Sequence, residues 1–352
     1  MPCTLIKARG GYGLYPKNLV TLCFYFWLLT KQQKKYLNLG IKLLIVGLAM
    51  WFIVSKVNNQ KNLREFQTLV NSIDPLVIRL TLAVVVVMML LNWALEVVKW
   101  KYLSRRIEKI SWWKATKSVF CGLTWAIFTP NRIGEYGGRV MLLRPENRAS
   151  GAVAMGVGLF AQLVLTSVFG ALSIAWFVST YLPTPIEVKF AVWLLAGIYA
   201  LTFVILYFNV HWVDYLVGKF KFLARIKPFF SILDQVTTKE LLDVLLLSLA
   251  RFIIFTSQYI VLMLVILPDL PFMPMTFMIF ILFFVQSAVP SLDIFDFSIR
   301  SFVASNLYSY ITTQEIAVMA IVSCIWFVNL ILPAIIGAFF VMNVNYIGGN
   351  KS

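Results

Sequence analysis

The residues best suited to chemistry crowd into one stretch, Thr129-Pro130-Asn131-Arg132-Ile133-Gly134-Glu135-Tyr136-Gly137-Gly138-Arg139, with Arg144 five residues on. Guanidinium groups are the usual donors to a phosphate, because charge-assisted, bidentate hydrogen bonds match its oxygens. Glu135 could keep one of the arginines in place or meet a cationic group. Arg251 is a further candidate cation, set well inside a later apolar run. In a corresponding place of the second half stand Pro290, Ser291, Asp293, Asp296 and Arg300.

Each of these also has a plainer reading. Glu135 and Arg139 are spaced as an ordinary i,i+4 pair. Arg144 and Arg148 can be determinants of topology, and Asp293, Asp296 and Arg300 can belong to a solvated outer loop. Arg251 can snorkel toward the nearer face, so its spacing does not fix its depth.

Other chemistry is thinly supplied. The one histidine, His211, falls at the end of an apolar run, and the four cysteines form no C-x-x-C pair, so no metal site or disulfide framework is indicated. No nucleophile elbow, metalloprotease, phosphate-loop or dinucleotide motif occurs. Catalysis within the chain would rest on Glu135, Asp293 and Asp296 alone, and no cofactor is expected.

The elements that must position these residues are apolar. Hydrophobic residues make up 60% of the 352 and charged residues 13%, and several apolar runs reach eighteen residues or more. That length crosses a hydrocarbon core as a helix. The expected class is therefore an all-α polytopic membrane protein. Six full spans are expected, at about 39–57, 76–98, 151–178, 188–209, 241–267 and 316–342. Two shorter runs, 119–130 and 275–289, end at Pro130 and Pro290. Proline removes a backbone donor and biases its predecessor away from helix. Each short run reads as a broken, re-entrant helix, tolerated at membrane depth where protein or water surrounds it. For the first run, an interfacial helix followed by a solvated cytoplasmic loop is the alternative.

Residues 1–38 are basic and aromatic, without an acidic residue. They read as an interfacial segment or as a start placed too far upstream. The stretch 100–118 joins lysines and arginines to Trp100, Trp112 and Trp113, which suits the headgroup layer. Residues 343–352 form a tail.

The net charge of +16 is sided, so it is not a nucleic-acid footprint. If both short runs return to the side they left, segments 1–38, 96–149, 210–240 and 343–352 hold 23 of the 31 Lys and Arg residues, against five in the opposite loops. The positive-inside rule then places both termini in the cytoplasm of a cell (inner) membrane. Each half reads span, span, broken run, span, in opposite orientation. This is an inverted 3+3 repeat over about 39–178 and 188–342, of the kind many transporters use.

Thr129, Pro130, Arg132, Gly134, Glu135 and Arg139 together resemble the T-P-x-R-x-G-E…R signature of the membrane region of the lysylphosphatidylglycerol synthase family. The likeness covers roughly residues 40–342. In the second half Pro290-Ser291 fits, while Leu292–Arg300 lacks the family's glycines and carries Asp293 and Asp296 instead. The synthases add a large soluble aminoacyl-transferase domain. This chain ends at Ser352, so lysyl transfer is not expected. The resemblance implies movement of a polar-headgroup lipid between leaflets. The alternative is a non-catalytic subunit that presents a lipid carrier to a cell-envelope glycosyl- or headgroup-transferase. Expected partners are membrane lipids and, on the second reading, such an enzyme.

Overall fold

The structure is a computed structural model that describes residues 73–127, 129, 132–219, 227–288 and 293–342, with Tyr36 and Asn71 besides. The expected span 39–57, the segment 1–38, the tail 343–352, and Pro130, Pro290 and Ser291 lie outside the described residues. Packing divides the chain into a unit of Met1–Leu44 with Asn345–Ser352 and a unit of Ile45–Val344, and every helix below belongs to the second.

The described residues are helical, without strands. Helix α1, Pro75–Ser104, starts where Asp74 accepts the Leu76 N–H at 2.8 Å, with proline in the first turn, where its missing N–H costs nothing. α2 spans Trp112–Ala126 and α3 spans Ile133–Val140. A 3₁₀ turn then leads into α4, Arg148–Tyr181, and α5 is Ile186–Phe208. Two short helices follow, α6 at His211–Lys219 and α7 at Lys227–Phe230. α8, Thr238–Ile266, opens with a reciprocal capping box between Thr237 and Glu240. α9 is Phe272–Ala288 and α10 is Asp293–Tyr308. α11, Glu315–Trp326, widens into a π-helical turn at Phe327–Ile331 and continues as α12, Leu332–Met342.

Five of the six expected spans fall on helices long and apolar enough to cross a membrane: Pro75–Ser104, Pro145–Tyr181, Ile186–Phe208, Thr238–Ile266 and Ile316–Met342. This is an all-α, polytopic membrane protein.

The two short runs become helical hairpins. α2 starts at Trp112, seven residues before the expected run, because the Ser111 hydroxyl caps it by accepting the Lys114 N–H at 3.2 Å. After the break, α3 returns along α2. A Cβ on Gly138 would lie 2.6 Å from the Gly122 Cα, and one on Gly134 would lie 2.3 Å from the Trp125 carbonyl oxygen. Only glycine admits that approach. In the second half α10 returns along α9, tied at its far end by the Tyr308 hydroxyl donating to the Met275 carbonyl at 2.9 Å.

α1 and α8 run antiparallel through the centre. Gln258 donates to the Val85 carbonyl at 2.9 Å near one end, and Arg251 meets Asn92 further along. Around this pair lies the main core, which draws on α1, α2 and α8 to α11. Trp100 corrects one expectation. The sequence suggests an interfacial tryptophan, but α1 continues past it, and Trp100 shares the buried face of Trp93 and Val97 at 0% exposure. A second cluster joins α4 and α5 to the start of α8, around Val157, Ala161, Tyr207 and Val244.

The π turn has a local cause. Pro333 cannot donate to the carbonyl four residues back, and the ladder widens just before it so that Leu332 N–H reaches the Phe327 carbonyl. Asn329 sits in this widened turn, its amide donating to the Ile325 carbonyl at 3.1 Å.

Candidate functional site

The site is built on a row of polar residues in α1. Asn92, Glu96 and Lys99 follow at i, i+4 and i+7, so they share one helix face. All three are buried, Glu96 and Lys99 at 1% exposure. An isolated charge there would be costly, so partners are required.

Glu96 has three cationic partners. Lys99 Nζ lies 2.8 Å from its Oε2, and Arg251 of α8 reaches the same oxygen. Arg139 of α3 donates to Oε1 at 2.5 Å. Arg251 also donates from Nε to Asn92 Oδ1 at 2.7 Å, and its guanidinium stands 5.1 Å from the centre of the Trp93 ring. Arg139 is shared, because its other terminal nitrogen pairs with Glu135 Oε1. Arg132 completes the group, with Nε 3.0 Å from Glu135 Oε2. Four cations and two carboxylates leave these six side chains with two net positive charges.

The loop between α2 and α3 aims this chemistry. Thr129 Oγ1 accepts the Gly134 N–H at 2.7 Å and donates back to the Trp125 carbonyl at 3.2 Å, which closes the turn. Arg132 takes left-handed backbone, φ 56°, unusual for a residue with a side chain, at the cap of α3. The turn sets Glu135 and Arg139 on the inner face of α3, both buried, while the Arg132 side chain stays 39% exposed.

Beside this network lies a cavity of about 770 Å³. Asn92 is residue 18 of the 30 in α1 and Ser248 is residue 11 of the 29 in α8, so the cavity sits about half-way along the long helices. Its cationic lining is Arg132, Arg251 and Arg300, and Glu135 is the sole carboxylate among its described lining residues. Neutral polar groups come from Asn92, Gln162, Thr166, Ser248, Gln286, Ser287 and Asn329. Phe252, Phe255 and Phe283 form an aromatic wall, with Phe255 and Phe283 stacked at 5.0 Å.

The sequence-derived candidates separate by position. Arg132, Glu135, Arg251 and Arg300 line the cavity. Arg139 lies behind it, holding Glu96 to Glu135. Thr129 and Gly134 shape the turn rather than the cavity. Arg144 is outside it. Its side chain is exposed, and its backbone N–H donates to Glu108 Oε2 at 2.9 Å, beyond the end of α3. Asp293 and Asp296 open α10, and their side chains lie outside the described residues. Pro130, Pro290 and Ser291 receive no placement.

Asn92, Glu96 and Lys99 are not among the sequence-derived candidates. Their common face was the available signal. Gln162 and Gln286 line the cavity, whereas Gln258 bonds across to α1. Among the described residues no group of three His, Cys, Asp or Glu side chains could hold a metal.

Long apolar helices around a buried, net-cationic network define an integral membrane protein with a charged interior. Its family follows from the sequence match: the chain belongs to the family described as the lysylphosphatidylglycerol synthase TM region, whose model matches residues 40–337. No curated protein and no solved structure matches the chain.

Proposed function

We propose that this protein moves a lipid with a phosphate-bearing headgroup between leaflets, the headgroup passing through the central cavity while the acyl tails stay in lipid. The observation that carries this reading is the cavity half-way along the spans, lined by Arg132, Arg251 and Arg300. Arg132 comes from the first half and the other two from the second. A phosphate at that depth needs compensating charge, since a bare anion in hydrocarbon is excluded. Arginine supplies it with directed donors.

Membership of a family named for the membrane region of a phospholipid synthase supports a membrane-lipid-related role. On this proposal the hairpins α2/α3 and α9/α10 are re-entrant from opposite faces, in an inverted repeat. The sided charge favours cytoplasmic termini in a cell membrane.

The test is leaflet exchange of a fluorescent phosphatidylglycerol in liposomes holding the purified protein. Exchange above that of empty liposomes, reduced about tenfold (about 1.4 kcal/mol) by Arg300→Gln, supports translocation through this cavity. Exchange equal to that of empty liposomes overturns it, and co-purification with an envelope transferase would then favour the accessory role.

A further inference from the structure

We infer that the corner between α1 and α2 is a second lipid site, apart from the cavity, at which Lys101, Lys109 and Lys117 together with Trp112 and Trp113 hold the headgroup of an anionic phospholipid at the membrane face. This site stands whether or not the cavity carries lipid. Its depth follows from α1. Lys101 comes nine residues after Asn92, which lines the cavity half-way along the bundle. At 1.5 Å per residue that is about 14 Å along the helix, close to half of a hydrocarbon core of about 30 Å. Lys101 donates to the Ile110 carbonyl at 2.9 Å, so the loop that leads to α2 folds against the last turn of α1. The two tryptophans that open α2 therefore lie where hydrocarbon gives way to headgroups. They are 56% and 59% exposed, whereas Trp100 is fully buried. Indole rings are costly to leave in bulk water and are favoured in the interfacial layer.

The charge at this corner is strongly one-sided. From Lys101 to Lys117 the chain has six Lys and Arg residues and one carboxylate, Glu108. Arg105 and Arg106 turn to Glu240 of α8, and Lys114 turns to Glu108. Lys101 Nζ instead lies 4.6 Å from the centre of the Trp112 ring, and Lys117 Nζ lies 5.2 Å from that of Trp113. A ring face attracts an ammonium but leaves its charge uncancelled. Lys109, in the loop between the two helices, is exposed. A lipid phosphate supplies the missing anion through charge-assisted hydrogen bonds, and the indoles suit the apolar part of the same molecule. The corner is also braced. The Trp113 ring meets Phe340 of α12 edge-on at 5.4 Å, and Phe340 meets Phe120 of α2 at 5.9 Å. A lipid held here binds the folded chain and should stabilise it by mass action.

The experiment offers the full chain, purified in detergent, mixed micelles of phosphatidylglycerol or of phosphatidylcholine with the same acyl chains. Retained lipid is measured by native mass spectrometry and stability by thermal unfolding. Phosphatidylglycerol should be retained about tenfold more tightly than phosphatidylcholine. Lys101→Gln/Lys117→Gln should remove most of that preference, whereas the cavity variant Arg300→Gln should keep it. Raising the salt from about 0.05 M to about 0.5 M should weaken it as well, because exposed charges are screened. The lysine variant should melt like the unaltered protein in phosphatidylcholine and lose the extra stability that phosphatidylglycerol confers. If it fails to fold, Lys109→Gln/Lys117→Gln, which spares the bond to the Ile110 carbonyl, carries the same test.

Equal retention of the two lipids would overturn the site, and so would a preference that survives the lysine variants or ignores salt. A preference that falls as far in Arg300→Gln as in the lysine variants would assign the anionic lipid to the cavity and overturn the site equally. None of these outcomes bears on leaflet exchange, so failure here and failure of the translocation reading are told apart.

Discussion

Glu96 of α1 accepts a hydrogen bond from Arg251 of α8, a residue 155 positions further along the chain, and both are buried. Through Arg139 the same carboxylate is tied to α3. One side chain therefore links the two central antiparallel helices to the hairpin that carries the signature residues. Removing one partner of a buried ion pair strands the others, and typically costs about 3–5 kcal/mol.

Glu96→Gln should consequently lower the melting temperature in detergent strongly, and Arg251→Gln should do the same. Because both changes strike one network, the double variant should fall well short of their sum. A coupling energy of about 1 kcal/mol or more in the double-mutant cycle is expected, and additive effects would show that the contact contributes little.

The hairpin predicts opposite outcomes for neighbouring glycines. A Cβ on Gly138 would press on the Gly122 backbone, whereas one on Gly137 meets nothing within 4 Å. Gly138→Ala should destabilise by about 1–3 kcal/mol through overpacking. Gly137→Ala should stabilise by roughly 0.5–1 kcal/mol, since alanine loses less backbone freedom in a helix. Thermal unfolding of the two single variants decides the matter.

At Arg132 backbone and charge can be separated. Its left-handed φ of 56° suits glycine and strains alanine. Arg132→Gly should be more stable than Arg132→Ala by about 1 kcal/mol, although both lose the same cation. On the proposed function the two should lose anionic-lipid exchange equally, so stability and exchange would part company. Arg144→Gln, outside the cavity, should leave exchange near that of the unaltered protein.

A pH effect is expected at the turn between α1 and α2. Glu108 accepts from Lys114 Nζ at 2.6 Å, from the Arg144 backbone at 2.9 Å and from Asn147 at 3.3 Å. Burial raises its pKa, but these donors outweigh that and hold the carboxyl below its ordinary range. A depressed carboxylate pKa contributes stability above the unfolded value of about 4.3, and the contribution disappears as pH falls through the folded value. Glu108→Gln should therefore melt below the unaltered protein at pH 7, and the gap should close on acidification. A gap that persists unchanged in acid would show that the carboxylate charge is not what holds this turn.

Much of the architecture was legible from composition alone. Run length predicted the five spans that fall on described helices, because crossing hydrocarbon demands a fixed number of apolar residues. The break after Ile127 was readable from Pro130, and the signature from Thr129 to Arg139 named its family. These are local properties, carried by neighbours in the chain.

Other features depended on how helices face one another. Glu96 in sequence is one polar residue near the end of an apolar run, and nothing in its spacing says that Arg139 and Arg251 turn toward it. Arg144 and Arg251 were both candidate cations by sequence, yet one is exposed beyond α3 and the other is buried against α1. The cavity likewise depends on five or more helices meeting around Ser248, Gln286 and Asn329. The chain by itself determined which segments are helices and where they break, since hydropathy and backbone chemistry act locally. Tertiary packing alone decided which charges are partners, because electrostatic energy in a buried site depends on distances of a few ångströms between residues far apart in the sequence.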